Sequence, residues 1–331
     1  MVKNLNTLLS FALFLLLIAF SLILAFGKGY SAVVLDGLSL YLACVVPSLL
    51  PYFFITAILS NLKATSKIAN RLSFFTKQIF NVGGAVGYAF FMSLISGYPV
   101  GAKLVSDLKE KGLISKTESV RASALCSTSS PMFLINSVGS IMFNNVRFGL
   151  TLFLCHFFSS IIVGVIFSFY HRKEKPLSLP FINDKKVDNV LYESAYSSVI
   201  SILVVGAIIT IFYLLTNVLF SLGFLSPIVS AFSFVFGNEI LGKGLTFGLF
   251  ECTQGLKILS TLKGSFLVLP LSTFICGFGG LSVLMQSIAY LKKAKIKTAP
   301  FILAKIICAV INFVLSMIIC LVFPLGFWNI K

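Results

Sequence analysis

The stretch Ser96-Gly97-Tyr98-Pro99-Val100-Gly101-Ala102-Lys103 lies inside a long apolar region and works against an unbroken helix there. Proline removes a backbone donor and fixes φ, while glycine admits conformations that other residues avoid. The surroundings set what such a break can mean. Hydrophobic residues make up 58% of the 331 and charged residues 11%, with a mean hydropathy of +1.02. A soluble domain of this length cannot hide that much apolar surface, so the chain reads as a polytopic helical membrane protein. In lipid, non-helical backbone persists only where protein or a watery cavity satisfies the freed groups. The break therefore reads as the lining of a site, with Lys103 as a cation beside it. The alternative is a kinked helix whose lysine reaches back to the interface.

Three further polar interruptions repeat the feature. Cys126-Ser127-Thr128-Ser129-Ser130-Pro131 precedes an apolar run over 132–143. Proline suits the first position of a helix, and a helix start offers bare N–H groups to an anion. The competing reading is a hydroxyl-rich packing seam between helices. Glu251-Cys252-Thr253-Gln254-Gly255 puts an acid in apolar surroundings, at a cost of roughly 3 kcal/mol if it sits at mid-membrane, so it should have a partner or a task. Otherwise the segment is interfacial and Glu251 wet. Gly277-Phe278-Gly279-Gly280 is the fourth interruption.

The pattern predicts an all-α polytopic membrane protein with about 8–10 hydrophobic helical segments, some interrupted or re-entrant, in two weakly repeated halves. Residues 1–30 read as a first transmembrane anchor, because the apolar run 8–26 is long for a signal peptide. Residues 31–170 form the first half, 171–190 a basic cytoplasmic loop and 191–331 the second half. Within these, 31–62 carries Pro47-Ser48-Leu49-Leu50-Pro51 and predicts a helical hairpin or a sharply bent helix. The basic 63–78 segment has apolar residues at helical spacing and predicts an amphipathic interfacial helix. Lys305, within about a turn and a half of the last helix start, is expected to snorkel. The internal match pairs Ser96-Gly97-Tyr98-Pro99 with Cys276-Gly277-Phe278-Gly279, and leaves parallel and inverted repeats both open.

The net charge of +16, from 26 Lys+Arg against 10 Asp+Glu, is concentrated in short loops. Such loops mark cytoplasmic flanks against anionic lipid, and no basic stretch is long enough to form a nucleic-acid groove. The seven cysteines include no CxxC pair, and His156 and His171 have no partner at ligand spacing. No metal site, redox motif or prosthetic cofactor is expected. Neither HExxH nor GxxxxGK[ST] occurs, so an enzyme is not expected either.

On the motifs Val46-Pro47-Ser48-Leu49-Leu50-Pro51, Ser96 to Lys103, Thr128-Ser129-Ser130-Pro131-Met132-Phe133 and Glu251 to Gly255, the chain resembles the YlbJ-type sporulation integral membrane proteins. These fall in the nucleoside-recognition or Gate group, which is similar to concentrative nucleoside transporters. The resemblance covers most of the chain. It implies two Gate-like halves and a role in spore cortex and core maturation, with dipicolinate moved out of the mother cell across its membrane. One departure is Ser127-Thr128, where similar proteins carry an asparagine ahead of the S-x-P element.

Taken together, these features predict a transporter of a small anionic or nucleoside-like solute. The expected binding residues are Pro47, Ser48, Gly97, Tyr98, Pro99, Gly101, Lys103, Ser129, Ser130, Pro131, Glu251, Thr253, Gln254, Gly277, Phe278, Gly279 and Gly280. Lys103 would pair with a carboxylate, the helix starts after Ser130 and near Gly280 would donate N–H groups, and Tyr98 and Phe278 would stack on a ring. Glu251 would hold a coupling proton or sodium ion, or balance Lys103. Membrane lipid and a second copy in a homo-oligomer are the other expected partners. The rival reading is a non-transporting sporulation membrane protein that scaffolds partners for cortex formation.

Overall fold

The computed structural model describes residues 14–323 apart from 16, 19, 26, 28, 62–63, 178–188 and 263. Most of the expected first anchor, and most of the loop over 171–190, lie outside the described residues; positions 20–25 are helical. From there the chain runs through α1 (Tyr30–Asn61), α2 (Ala64–Phe80), α3 (Gly84–Ser96), α4 (Val100–Glu110), α5 (Lys116–Leu125), α6 (Met132–Met142) and α7 (Val146–Ser168). It continues through α8 (Val190–Ser221), α9 (Ser226–Phe236), α10 (Glu239–Phe250), α11 (Cys252–Leu259), α12 (Val268–Phe278), α13 (Gly280–Lys293) and α14 (Ala299–Val322). Among the described residues there is no strand.

Among the described residues, five helical stretches are long and apolar enough to cross a bilayer, with α12 and α13 together forming one of them. The bent pair of α2 and α3, at 92°, makes a sixth if taken as one span. The sharp angle suits an amphipathic α2 lying along the interface while α3 enters the core. At 13 and 11 residues, α3 and α4 reach only about 20 Å and 16 Å, short of a hydrocarbon core of about 30 Å. They pack on each other across the first break, so they enter and return on one side. The pair α10 and α11 does the same across Glu251.

Residues 30–61 are not a hairpin. They form one helix, which takes up its two prolines with a π-helical turn over Tyr41–Val45. The carbonyls loosened there find hydroxyls: Ser48 donates to Cys44 O at 3.0 Å and Val45 O at 2.9 Å, and Ser137 of α6 also donates to Cys44 O. Hydroxyl groups are what allow a membrane helix to keep a proline inside it.

The same order of elements occurs twice. A 32-residue helix, a short helix, a pair split by a break, a second split pair and a long helix make up both α1–α7 and α8–α14. By this order the first break corresponds to the third and the second to the fourth, which replaces the match of the first with the fourth drawn from local sequence. The packing repeats as well: α5 lies on α7 as α12 lies on α14, and α7 on α12 as α14 on α5. The leading helices run antiparallel. Tyr30 Oη and Ser221 Oγ meet at 3.0 Å at one end, while Asn61 and Glu193 line one cavity at the other. The duplicated elements are therefore inverted with respect to each other.

One end of the molecule gathers the basic turns. Lys293 pairs with Glu110 at 3.8 Å, joining the ends of α13 and α4. Arg121, 2% exposed, donates to the carbonyls of Asn81, Tyr170, His171 and Glu174 at 2.6–3.0 Å. One turn earlier, Glu118 accepts from the N–H groups of Gly83 and Leu177 and completes a capping box with Ser115. These two buried charges satisfy backbone turns that no regular element could.

Candidate functional site

The four breaks meet. A Cβ on Gly97 would stand 2.7 Å from Ser130 N, and one on Gly101 would stand 1.7 Å from Cys126 O. The first and second breaks are thus in backbone contact. Gly280 lies against the third break, with Cys252 N 3.0 Å from its Cβ position. The Tyr98 hydroxyl donates to Cys276 O at 2.6 Å and ties the first break to α12. Hydroxyl pairs close the remaining gaps, Thr56 with Ser96 and Thr128 with Ser93 at 3.1 Å.

At the meeting point is a cavity of about 50 Å³, lined by Tyr98, Ser129, Ser130, Glu251, Thr253 and Gln286 among others. Each polar side chain has a local reason for its place. Ser130 caps α6, accepting from Phe133 N at 3.2 Å. Glu251 is extended backbone between α10 and α11, and its carboxylate caps α11 by accepting from Gln254 N at 2.7 Å and from the Thr253 hydroxyl. With 1% exposure, Glu251 is not a wet interfacial acid.

Two cationic or titratable side chains that sequence distance had set apart also come here. His156, on α7, is 1% exposed, and its Nε2 accepts from Ser129 N at 2.9 Å. Its ring stands edge-on to Tyr98, centroids 6.2 Å apart. Lys305 does not snorkel. It is 1% exposed, and its Nζ lies 4.3 Å from the centre of the Tyr98 ring. The available signal was that ionisable residues inside membrane helices merit a functional reading by default.

Other predicted residues fall elsewhere. Lys103 is half-buried and lines two outer cavities of about 170 and 220 Å³. Pro47 is exposed on α1, and Ser48 is spent on its own helix. Gly277 lets α14 approach, since a Cβ would meet Asn312 Nδ2 at 2.7 Å. Phe278 packs with the apolar cluster that includes Val86, Val105 and Leu284 rather than with Tyr98. Pro99, joined to Tyr98 by a cis peptide, opens α4 and lines the middle cavity. Pro131 opens α6, Gly279 ends α12 in the left-handed region, and Gln254 is buried beside Glu251.

The three cavities are neighbours. Val205 and Gln286 line both the buried and the middle one, and Phe53, Val100, Lys103 and Ser201 line both the middle and the outer one. The outer cavity adds Asp107, Glu193 and the serines 194, 197 and 198 of α8. It lies at the end of the molecule that carries the basic turns. Apolar residues of the core, Val45, Leu49, Phe133, Val205 and Ile209, complete the lining of the buried cavity.

No family model matches the chain. The chain is similar to the sporulation integral membrane protein YlbJ of Bacillus subtilis (strain 168), with 29% identity over 344 residues that cover 96% of this chain and 83% of the relative. That likeness supports a YlbJ-type protein.

Proposed function

We propose that this YlbJ-type membrane protein carries a small anionic or nucleoside-like solute across the bilayer, and that the solute sits where the four breaks converge. The observation that carries this reading is the convergence itself: unwound backbone from both halves meets at one cavity whose lining includes Tyr98, Ser129, Ser130, Glu251, Thr253 and Gln286, as expected of a transporter site. The neighbouring outer cavities would supply an approach from the end with the basic turns, which the positive-inside rule assigns to the cytoplasm. On this reading export starts from the cytoplasmic side, and dipicolinate leaving the mother cell is the candidate solute. Glu251 and Thr253 would hold the coupling proton or sodium ion.

The test is flux of labelled dipicolinate and of nucleosides in proteoliposomes, with and without an imposed proton or sodium gradient. Uptake that saturates and follows a gradient is expected. No flux of any solute, with co-purification of a sporulation membrane partner, would favour the scaffold reading.

A further inference from the structure

The start of α13 carries a set of buried donors that the fold itself does not use. Lys305 Nζ has no hydrogen-bond partner, and neither the His171–Glu174 nor the Glu110–Lys293 ion pair includes it. A lone ammonium is costly to bury unless something pairs with it. The amine stands 3.6 Å from where a Cβ on Gly279 would be, which places it in contact with the residue before α13. Gly279 is the residue before α13, and that helix, 14 residues long, has no side-chain cap. In its first turn the Ser282 hydroxyl is buried without a partner, and one turn later so is the Gln286 amide nitrogen. Residues four apart share a helix face. Across Tyr98, His156 Nδ1 is likewise unpartnered.

We propose that Lys305, Ser282, Gln286 and the N-terminus of α13 form a carboxylate subsite beneath Tyr98. An ammonium, a hydroxyl, an amide N–H and a helix start are all donors, and a carboxylate offers the acceptors that together they lack. Lys103, half-buried in the outer cavities, then serves the approach and not the binding. The subsite rests on the transport reading for its solute, but its chemistry can be measured by binding alone.

The experiment is calorimetry on the purified full chain in detergent with benzoate and with benzamide, which has the same shape and no charge. Wild type is expected to bind benzoate at least tenfold more tightly than benzamide. Lys305→Met should lose benzoate affinity at least tenfold, Ser282→Ala about threefold, and Lys103→Met less than twofold. Lys305→Met removes an unpaired buried charge, so it should melt no lower than wild type. Should it fail to fold, Ser282→Ala decides, and unchanged benzoate affinity there overturns the subsite. No benzoate binding to wild type, equal affinity for benzamide, or full affinity in Lys305→Met would each overturn it too. Binding that depends on Lys305 with no flux in proteoliposomes keeps the subsite and removes the transport reading. Flux unchanged in Lys305→Met keeps transport and removes the subsite.

Discussion

Replacing Gly101 by alanine tests whether the first two breaks must touch. The new Cβ would lie 1.7 Å from Cys126 O and 2.9 Å from both Cys126 C and Ser93 Cβ. Real Cβ atoms do not come within 3.0 Å, so α4 and the 126–130 segment must part by at least about 1.3 Å. The obstacle is backbone, which no rotamer change can move. Alanine favours a helix over glycine by about 1 kcal/mol, whereas overpacking costs typically 1–3 kcal/mol and more where backbone must shift. A net loss of about 2 kcal/mol is expected, read as a lower midpoint of thermal or denaturant unfolding in detergent. The control is Gly112→Ala, where φ is +70° and nothing lies within 4 Å; left-handed backbone alone costs alanine about 1–2 kcal/mol. Stability cannot separate the two variants, but solute flux can. Gly101→Ala should abolish flux because it parts the site, and Gly112→Ala should leave it near wild type at equal amounts of folded protein. Wild-type stability and flux in Gly101→Ala would refute the close approach of the two breaks.

Three further outcomes follow from the geometry. Glu251→Ala removes the acceptor that caps α11 and should cost about 1 kcal/mol of stability; Glu251→Gln keeps an acceptor and should cost less than half of that. Both should lose gradient-driven flux if the carboxylate holds the coupling ion, and retained coupling in Glu251→Gln would exclude that role. Arg121→Met leaves four carbonyls without a donor and should cost about 3 kcal/mol, since bonds to a charged group contribute about 1.5–3 kcal/mol each and are not additive. Limited proteolysis near 171–177 should speed up in the same variant, and an unchanged cleavage rate would count against it. A cysteine at Ser197, in the outer cavity, should react with an impermeant thiol reagent from the side bearing the basic turns. One at Phe224, 68% exposed beyond the other end of α8, should react from the opposite side; six of the seven native cysteines are buried. Labelling of both from one side would refute the antiparallel course of α8.

The helical membrane class and the places where helices stop were legible in the sequence, because both follow from local chemistry. Gly97 and Pro99, Gly279 and Gly280, and the hydroxyl run before Pro131 act through their own φ, their missing donors or their side chains. What was not legible depended on distant neighbours. Pro47 and Pro51 did not split residues 30–61 into a hairpin, and a hydroxyl from Ser137, 93 residues away, helps to satisfy a loosened carbonyl. Lys305 lies close enough to its helix start to reach an interface, yet α14 is drawn inward where Gly277 admits Ala309 and Asn312. His156 is 27 residues from Ser129 in sequence, and the reversal between α6 and α7 brings it back. The match of Gly97-Tyr98 with Gly277-Phe278 was a likeness of residues, whereas the repeat lies in the order of elements.

An inverted order changes what needs explaining about the site. Had four interruptions reached one cavity independently, each would need its own cause. With α1–α7 and α8–α14 antiparallel, a hairpin that enters to mid-depth from one side implies a counterpart entering to the same depth from the other. The tips then meet wherever the halves are equally thick, and the 32-residue leading helices make them so. Symmetry of backbone does not extend to side chains. The tip of the first hairpin presents Tyr98 and that of the second presents Glu251, while α7 contributes His156 and α14 contributes Lys305. A site with twofold backbone and unlike charges has one anionic and one cationic end, which a rigid planar solute would have to enter in a single orientation. The repeat supplies the place, and the divergence of its two copies supplies the polarity.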